Sequence, residues 1–268
     1  MIEKAFKFYV NANIHVAVAV LSLVCLTFYI SNLNFDILIA TFIFFATIAS
    51  YNGIKYYEFI LNRKPTNSFT KAISISSVLS LIICVIIFFE CNFKTQMASV
   101  FFGIVTLLYA VPISENKTNL RNLAGIKIYI VSFCWVGVTL LLPLLTANVV
   151  LGTDFVIDFL QRFILILILI LIFEINDLKY DDIKLRTVPQ VLGVYKTKIL
   201  IALLCIPFFI FEFLKANIHT NQWVVNLILI ISILLLTYFA TRNCSKYYTL
   251  FWVESIPIFW LFLSVLFK

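Results

Sequence analysis

Three carboxylates follow one of the most apolar stretches of the chain. Glu174, Asp177 and Asp181 are spaced i, i+3 and i+7, and they come directly after residues 163–173, which are almost all isoleucine and leucine. On a helix this spacing places the three side chains along one face. Carboxylate oxygens favour hard cations, above all Mg²⁺, which typically bridges one or two carboxylates to substrate phosphates. The run therefore indicates a magnesium site, although a solvated helix end would show the same pattern.

The composition indicates which kind of protein must position these acids. Hydrophobic residues make up 63% of the chain and charged residues 12%, and the mean hydropathy is +1.06. These values lie far outside the range of a soluble globular domain. Apolar stretches of roughly 18–25 residues recur, the length of a helix that crosses a bilayer. We count nine, at about 10–31, 36–60, 70–90, 95–113, 124–146, 156–177, 197–214, 222–241 and 249–267.

Only short polar breaks separate these stretches, so no sizeable soluble domain fits between them. The sequence predicts an all-α polytopic membrane protein in which residues 1–268 form a single integral membrane domain. The first stretch follows Lys4 and Lys7, as in a signal peptide. It is too long for one and has no suitable cleavage site, so we expect a retained first span.

The distribution of basic residues predicts the orientation. With the amino terminus inside, 15 of the 20 lysines and arginines fall in inner segments, and only Lys94, Lys215 and Lys268 fall in outer ones. Inner loops of membrane proteins carry such an excess. We therefore predict a protein of the inner (cytoplasmic) membrane with a cytoplasmic amino terminus and an external carboxyl terminus. The net charge of +7 is then explained without a nucleic-acid partner. Within the sixth span, Asp158 is placed to pair with Arg162 at i+4.

This topology gathers unusual polar side chains at the same side of the membrane as the acidic run. They are Asn52, Lys55, Arg63, Tyr109, Lys117 and Arg121. Acids together with lysines and arginines suit an anionic ligand that is held partly through a metal ion. Topology signalling alone explains most of the loop cations, and Lys55 is long enough to snorkel to the interface. We expect spans two, four, five and six to converge on a cavity into which Asn52, Lys55 and Asp177 point.

The chain resembles the UbiA superfamily of membrane prenyltransferases. The resemblance rests on nine spans, on the acidic end of span six and on the following segment Thr187–Gly193, which is similar to the family's T-(L/I)-P-x-x-(L/F)-G segment. Glu174, Asp177 and Asp181 match the three acidic positions of a DxxDxxxD-type motif, the first as glutamate. Tyr109 and Pro112 are similar to a Y-x-x-P segment of the family.

The resemblance implies a UbiA-like helical bundle and Mg²⁺-dependent transfer of an isoprenyl group from its diphosphate to a lipophilic acceptor. It implies that Glu174, Asp177 and Asp181 are metal ligands. The candidate catalytic residues are Lys55, Asp177 and Asp181, and the candidate substrate ligands are Asn52, Arg63, Tyr109, Lys117, Arg121 and Lys184.

The chain departs from the family in its first acidic motif. Where the family has NDxxDxxxD, this sequence keeps Asn52 but has Gly53, Tyr56 and Ile60 in place of the three aspartates. The metal charge available to a leaving diphosphate is therefore reduced. Lys55 and Arg63 could contact the diphosphate directly instead.

Two other classes of function stay open at this point. One is a non-catalytic relative that binds an isoprenoid or lipid, or supports a membrane complex, and the loss of the first acidic motif favours it. The other is a transporter or channel. That class is less favoured, because the polar residues gather at one side and spans three, seven and eight are nearly devoid of charge.

Overall fold

The computed structural model describes residues 2–61, 68–110, 125–216 and 221–267. Within these ranges the chain is helical and contains no strand. Its α-helices are α1 (Ile2–Asn11), α2 (Ile14–Ile30), α3 (Ile37–Leu61), α4 (Ser68–Glu90), α5 (Phe93–Ala110), α6 (Lys127–Val136), α7 (Leu142–Thr146), α8 (Thr153–Asp177), α9 (Val188–Leu192), α10 (Val194–Ile210), α11 (Gln222–Phe239) and α12 (Ile256–Leu266).

Eight helical segments in the described ranges are long and apolar enough to cross a membrane. Two of them contain a π-helical stretch: Gly137–Leu141 joins α6 to α7, and Tyr248–Val253 leads towards α12. A ninth span results if α1 and α2 are taken together, although they meet at an angle of 61°. The bend lies at Asn13, whose φ of 57° is left-handed and interrupts the helix. The predicted all-α polytopic architecture is confirmed, and nine spans agree with it when the bent pair counts as one.

Helix α8, which carries the acidic run at its end, contributes to the main buried core of the bundle. Leu165, Ile168 and Ile172 on α8 have no exposed surface, and they pack with residues of α2, α10, α11 and α12. Peripheral helices instead expose large apolar side chains, such as Leu81 on α4 and Phe101 on α5. Exposed apolar faces of this kind suit contact with lipid. The acidic end of α8 is thus held by the core of the bundle.

The predicted ion pair between Asp158 and Arg162 is wrong. The Arg162 side chain is buried and donates from Nη1 to Thr27 Oγ1 at 2.7 Å and to the Thr139 carbonyl at 2.9 Å. Thr139 belongs to the π-helical stretch Gly137–Leu141, where the regular helical hydrogen bonding is interrupted and a carbonyl is available. Asp158 instead pairs with Lys215 Nζ at 2.8 Å. The i, i+4 spacing along α8 suggested that Asp158 and Arg162 pair with each other. In the structure each of them instead contacts residues from other parts of the bundle.

Lys215 belongs to a polar cluster, the buried polar cluster, which we define as the buried residues Gln161, Glu212, Lys215 and Asn226 with the partly exposed Asp158. Glu212 Oε2 accepts hydrogen bonds from Lys215 Nζ at 2.9 Å, from Asn226 Nδ2 at 2.9 Å and from Gln161 Nε2 at 3.1 Å. The cluster lies beside the first half of α8, whereas the acidic run lies at its end. Because each charge has a close partner, the cluster can remain buried and join α8 to α11 and to the turn that follows α10.

Candidate functional site

A cavity of about 520 Å³ opens where α3, α5 and α8 end and α6 begins. Its charged lining residues are Lys55, Lys127, Glu174, Asp177 and Glu254. Along α8 the lining extends from Asp177 back to Ile166, a distance of about 16 Å at the rise of an α-helix. The deeper wall is apolar and includes Val20, Val138 and Ile166. The cavity therefore combines a charged end with an apolar interior.

The acidic wall is formed by the end of α8. Glu174 is 3% exposed, its Oε1 lies 3.3 Å from Lys127 Nζ, and its Oε2 accepts the Val188 backbone N–H at 3.2 Å. Asp177 lines the cavity one turn further on. Asp181 follows the end of α8 and is carried by the next turn, with its Oδ2 4.0 Å from Lys127 Nζ. Glu174 and Asp177 therefore both lie on α8, as predicted, whereas Asp181 lies beyond the end of the helix, on the turn that follows it.

Lys127 is a site residue that the sequence reasoning counted only among the inner cations. It begins α6, lines the cavity and contacts acids on both sides of Asp177. A basic residue at the start of a span is expected from topology alone, so the sequence did not distinguish it. Its position places a fixed positive charge within the acidic wall.

The described part of α3 contributes a cation and no carboxylate to this cavity. Lys55 lines the cavity, and its Nζ donates to the Asn11 carbonyl at 3.3 Å. The Tyr56 hydroxyl donates to the same carbonyl at 3.1 Å. Gly53 has open space where a side chain would begin. The second acidic wall that the family motif would supply is therefore not built by residues 52–56.

Asn52, which we expected in the cavity wall, packs against the bend between α1 and α2 instead. Its Oδ1 accepts from Asn13 Nδ2 at 2.7 Å, and its Nδ2 donates to the Ala12 carbonyl at 3.1 Å. Both its acceptor and its donor are used, and only 1% of its surface is exposed. The expectation that Asn52 points into the cavity is wrong, because the left-handed turn at Asn13 supplies nearer partners.

The remaining predicted ligands divide into those that the structure describes and those that it does not. Tyr109, near the end of α5, lines the cavity. Lys184 lies in the short 3₁₀ turn Ile183–Leu185 after α8, and its side chain is not described. Arg63, Lys117 and Arg121 lie outside the described residues.

Glu254 is a second cavity residue that the sequence reasoning missed. It follows the π-helical stretch Tyr248–Val253, is 9% exposed and lines the cavity. Within the described part of the chain, its Oε2 is buried and receives no hydrogen bond. The available signal was a lone carboxylate within an apolar final span, since an ionisable group in that setting marks a candidate functional site.

The donor set of the cavity fits one magnesium ion better than two. Glu174 and Asp177 lie on one wall, and Mg²⁺ is commonly held by one or two carboxylates together with substrate phosphates. Across the described ranges, no three acids, histidines or cysteines are grouped closely enough to hold a metal by themselves. Lys127 would also compete with a metal ion for the Glu174 carboxylate, because its Nζ already pairs with Glu174. An ion at this wall would therefore depend on phosphate oxygens from the ligand.

The fold and the cavity define a polytopic helical membrane protein with a charged site at one end of its bundle. A UbiA homologue from Archaeoglobus fulgidus bound to GPP and Mg²⁺ is similar over 97% of this chain and 98% of its own, with a TM-score of 0.65 and 13% identity. Digeranylgeranylglyceryl phosphate synthase, studied in membranes, is similar over 99% and 98%, with a TM-score of 0.61 and 14% identity.

The chain therefore has the UbiA-type fold, and the predicted resemblance to the UbiA superfamily is confirmed at the level of the fold. No protein-family model and no curated sequence matches the chain.

Proposed function

We propose that this protein is a UbiA-like membrane prenyltransferase that transfers an isoprenyl group from a prenyl diphosphate to a lipophilic acceptor. The observation that carries the proposal is the cavity of the UbiA-type fold, with charged residues at one end and an apolar interior. An isoprenyl chain fits the apolar part, and a diphosphate needs the cations and metal-binding acids of the charged part. The Archaeoglobus homologue, bound to GPP and Mg²⁺, supports this assignment.

Lys55 and Lys127 come from two different helices and are the proposed cavity contacts for diphosphate oxygens. Glu174 and Asp177, with Asp181 beyond them, are the proposed metal ligands. Bound Mg²⁺ would neutralise part of the diphosphate charge. Arg63, Tyr109, Lys117, Arg121 and Lys184 are the further proposed substrate ligands. Asp177, Asp181 and Lys55 are the proposed catalytic set.

Bond cleavage at the first carbon of the prenyl group leaves positive charge on that carbon and pyrophosphate as the leaving group. Apolar walls exclude water, which would otherwise capture the carbon in place of the acceptor. Aromatic faces in the cavity can stabilise the positive charge. Trp135 is one such side chain, and its orientation is fixed because Nε1 donates to the Tyr51 hydroxyl at 2.8 Å.

A non-catalytic isoprenoid-binding protein is the second candidate function. The contact of Lys127 with Glu174 favours it, because this cation already neutralises the first carboxylate of the acidic wall. Gly53 and Tyr56 add no acid from α3. A protein of this kind would hold a prenyl diphosphate without cleaving it.

Purified protein incubated with labelled geranyl diphosphate and a membrane lipid extract, with and without Mg²⁺, tests both candidates. A prenyltransferase produces labelled lipid that depends on Mg²⁺ and is lost in Asp177→Ala. Saturable binding of geranyl diphosphate without any product supports the binding protein and rejects the enzyme. Absence of both binding and product rejects both. Glu90→Gln, which changes an exposed acid at the end of α4, serves as the matched control.

A further inference from the structure

The buried carboxylate of Glu254 has a hydrogen-bonding capacity that the neighbouring described residues do not use. Its Oε2 is buried in the wall of an otherwise largely apolar cavity. A carboxylate in such a place is costly unless a partner donates to it. The residue comes immediately after a π-helical stretch, and π-helical stretches frequently occur at functional sites. The structure therefore presents a buried acceptor group to the cavity.

No described residue donates a hydrogen bond to Glu254 Oε2. His15 Nε2 lies 3.0 Å from the Phe251 carbonyl and 3.1 Å from Ser255 Oγ, and the Ser255 hydroxyl donates to the Phe251 carbonyl at 2.6 Å. Lys55 is close enough to interact electrostatically with Glu254, but its Nζ donates to the Asn11 carbonyl. No described residue forms an ion pair with Glu254 within 4.0 Å. Its partner is therefore expected to enter the cavity.

We propose that Glu254 binds the hydroxyl group of the acceptor and takes its proton when the prenyl group is transferred. The proposal rests on the prenyltransferase function and adds the residue that holds the acceptor's hydroxyl group. A neutral O–H donor suits this position, because the nearby Lys55 ammonium would repel a protonated amine. Glu254 and the acidic wall of α8 then have separate roles, one for the acceptor and one for the diphosphate.

The bond between the first prenyl carbon and the diphosphate oxygen breaks, and pyrophosphate leaves with the electron pair. A bond forms between that carbon and the acceptor oxygen, whose proton passes to the Glu254 carboxylate. The product is a prenyl ether, and Glu254 returns to its ionised form when it releases the proton. No oxidant or reductant is required.

Binding of a hydroxyl probe tests the site without turnover. We expect the protein in lipid nanodiscs to bind octylphenol about tenfold more tightly than its methyl ether, because a hydrogen bond to a carboxylate has roughly this effect. Glu254→Leu should abolish the preference, and Glu90→Gln should keep it. Equal binding of the two probes by the wild-type protein would overturn the proposal, whether or not the protein is an enzyme.

Turnover separates the proton-accepting role from other roles. Glu254→Gln still accepts a hydrogen bond but cannot take a proton, so we expect kcat to fall at least about a hundredfold. Its Kd for geranyl diphosphate should remain that of the wild type.

Full activity in Glu254→Gln would reject the inference and leave the prenyltransferase function intact. A changed Kd for geranyl diphosphate with unchanged kcat would show instead that Glu254 is a counter-ion of Lys55. Absence of any transfer by the wild type would reject the proposed function, and the probe preference would still decide the hydroxyl site.

Discussion

Lys127 places a cation within the acidic wall of the cavity. Its ammonium lies 3.3 Å from one Glu174 oxygen and 4.0 Å from Asp181. A cation at this position reduces the negative charge available to a metal ion and adds positive charge for a diphosphate. The same residue therefore has opposite effects on the two ligands expected in the cavity.

Lys127→Gln should separate these two effects. We expect Mg²⁺ to bind about tenfold more tightly, because Glu174 loses a charge-assisted partner. Geranyl diphosphate measured in EDTA should bind more weakly, because one cation of the cavity is gone. Calorimetric titration of each ligand measures both changes. Lys71→Gln, which removes an exposed cation on α4, is the control. Equal Mg²⁺ affinity in the two variants would contradict competition between Lys127 and the metal ion for Glu174.

Asp177 is the acid closest to the centre of the proposed metal site, since Glu174 and Asp181 lie about one turn to either side. We expect Asp177→Ala to abolish Mg²⁺-dependent binding of geranyl diphosphate, and Glu174→Gln to weaken it while the fold is retained. Binding measured with and without Mg²⁺, together with thermal unfolding of each variant, gives the result. If wild type and Asp177→Ala bind identically, the acidic run is only a helix end.

At the scale of elements, the close contact of α5 with the π-helical stretch Gly137–Leu141 depends on one glycine. A β-carbon on Gly137 would lie 1.9 Å from Cζ of Phe102, a side chain that is 4% exposed and packs against Phe133. The ring cannot move aside without disturbing its neighbours. The absence of a side chain at Gly137 therefore allows α5 to pack beside the span Lys127–Thr146.

Gly137→Ala should lower the free energy of unfolding by about 1–3 kcal/mol, the usual effect of overpacking a core. Gly103→Ala is a matched control on α5, because a β-carbon there meets no atom within 4 Å. Unfolding of both variants in the same detergent, followed by circular dichroism, provides the comparison. Equal stability of the two would contradict the proposed steric role of Gly137.

The helices were more predictable from the sequence than their side-chain partners. Long apolar runs predict the spans because each spanning helix must satisfy its own backbone hydrogen bonds. The partners of Asn52 and Asp158 were missed because they lie 39 residues away at Asn13 and 57 residues away at Lys215. Glu254 was missed for the same reason, since its position in the cavity depends on how the final span packs. The acidic run was predicted because Glu174, Asp177 and Asp181 lie close together in the sequence.

The buried polar cluster offers a further test at the scale of elements. Lys215→Met removes the cation between Glu212 and Asp158, so we expect a loss of about 3–5 kcal/mol in the free energy of unfolding. The double variant Lys215→Met with Glu212→Leu should recover part of it, because one uncompensated charge is removed. Lys94→Met, at an exposed position on α5, is the control for stability measurements in detergent. A Lys215→Met variant as stable as the control would contradict a stabilising role for the cluster.

At the scale of the whole molecule, the charge distribution predicts how the bundle lies in the membrane. Fusions of a reporter after Lys64, Asn148 and Lys268 should report a cytoplasmic position at the first site and external positions at the other two. The cavity would then open towards the cytoplasm. A cytoplasmic signal from the fusion at Lys268 would contradict the nine-span topology and the orientation of the carboxyl terminus.

Arg162 has a consequence for the order in which the chain enters the membrane. An arginine near the middle of an isolated spanning helix costs about 2.5–3.5 kcal/mol to insert. The groups that receive its hydrogen bonds, at Leu23, Thr27 and Thr139, all precede it in the chain. They are synthesised before α8 reaches the translocon, so the partners of this charge are present when the helix arrives. Glu174 and Asp177 follow Arg162 on the same helix, so the acidic wall enters the membrane only after the spans that hold the partners of Arg162.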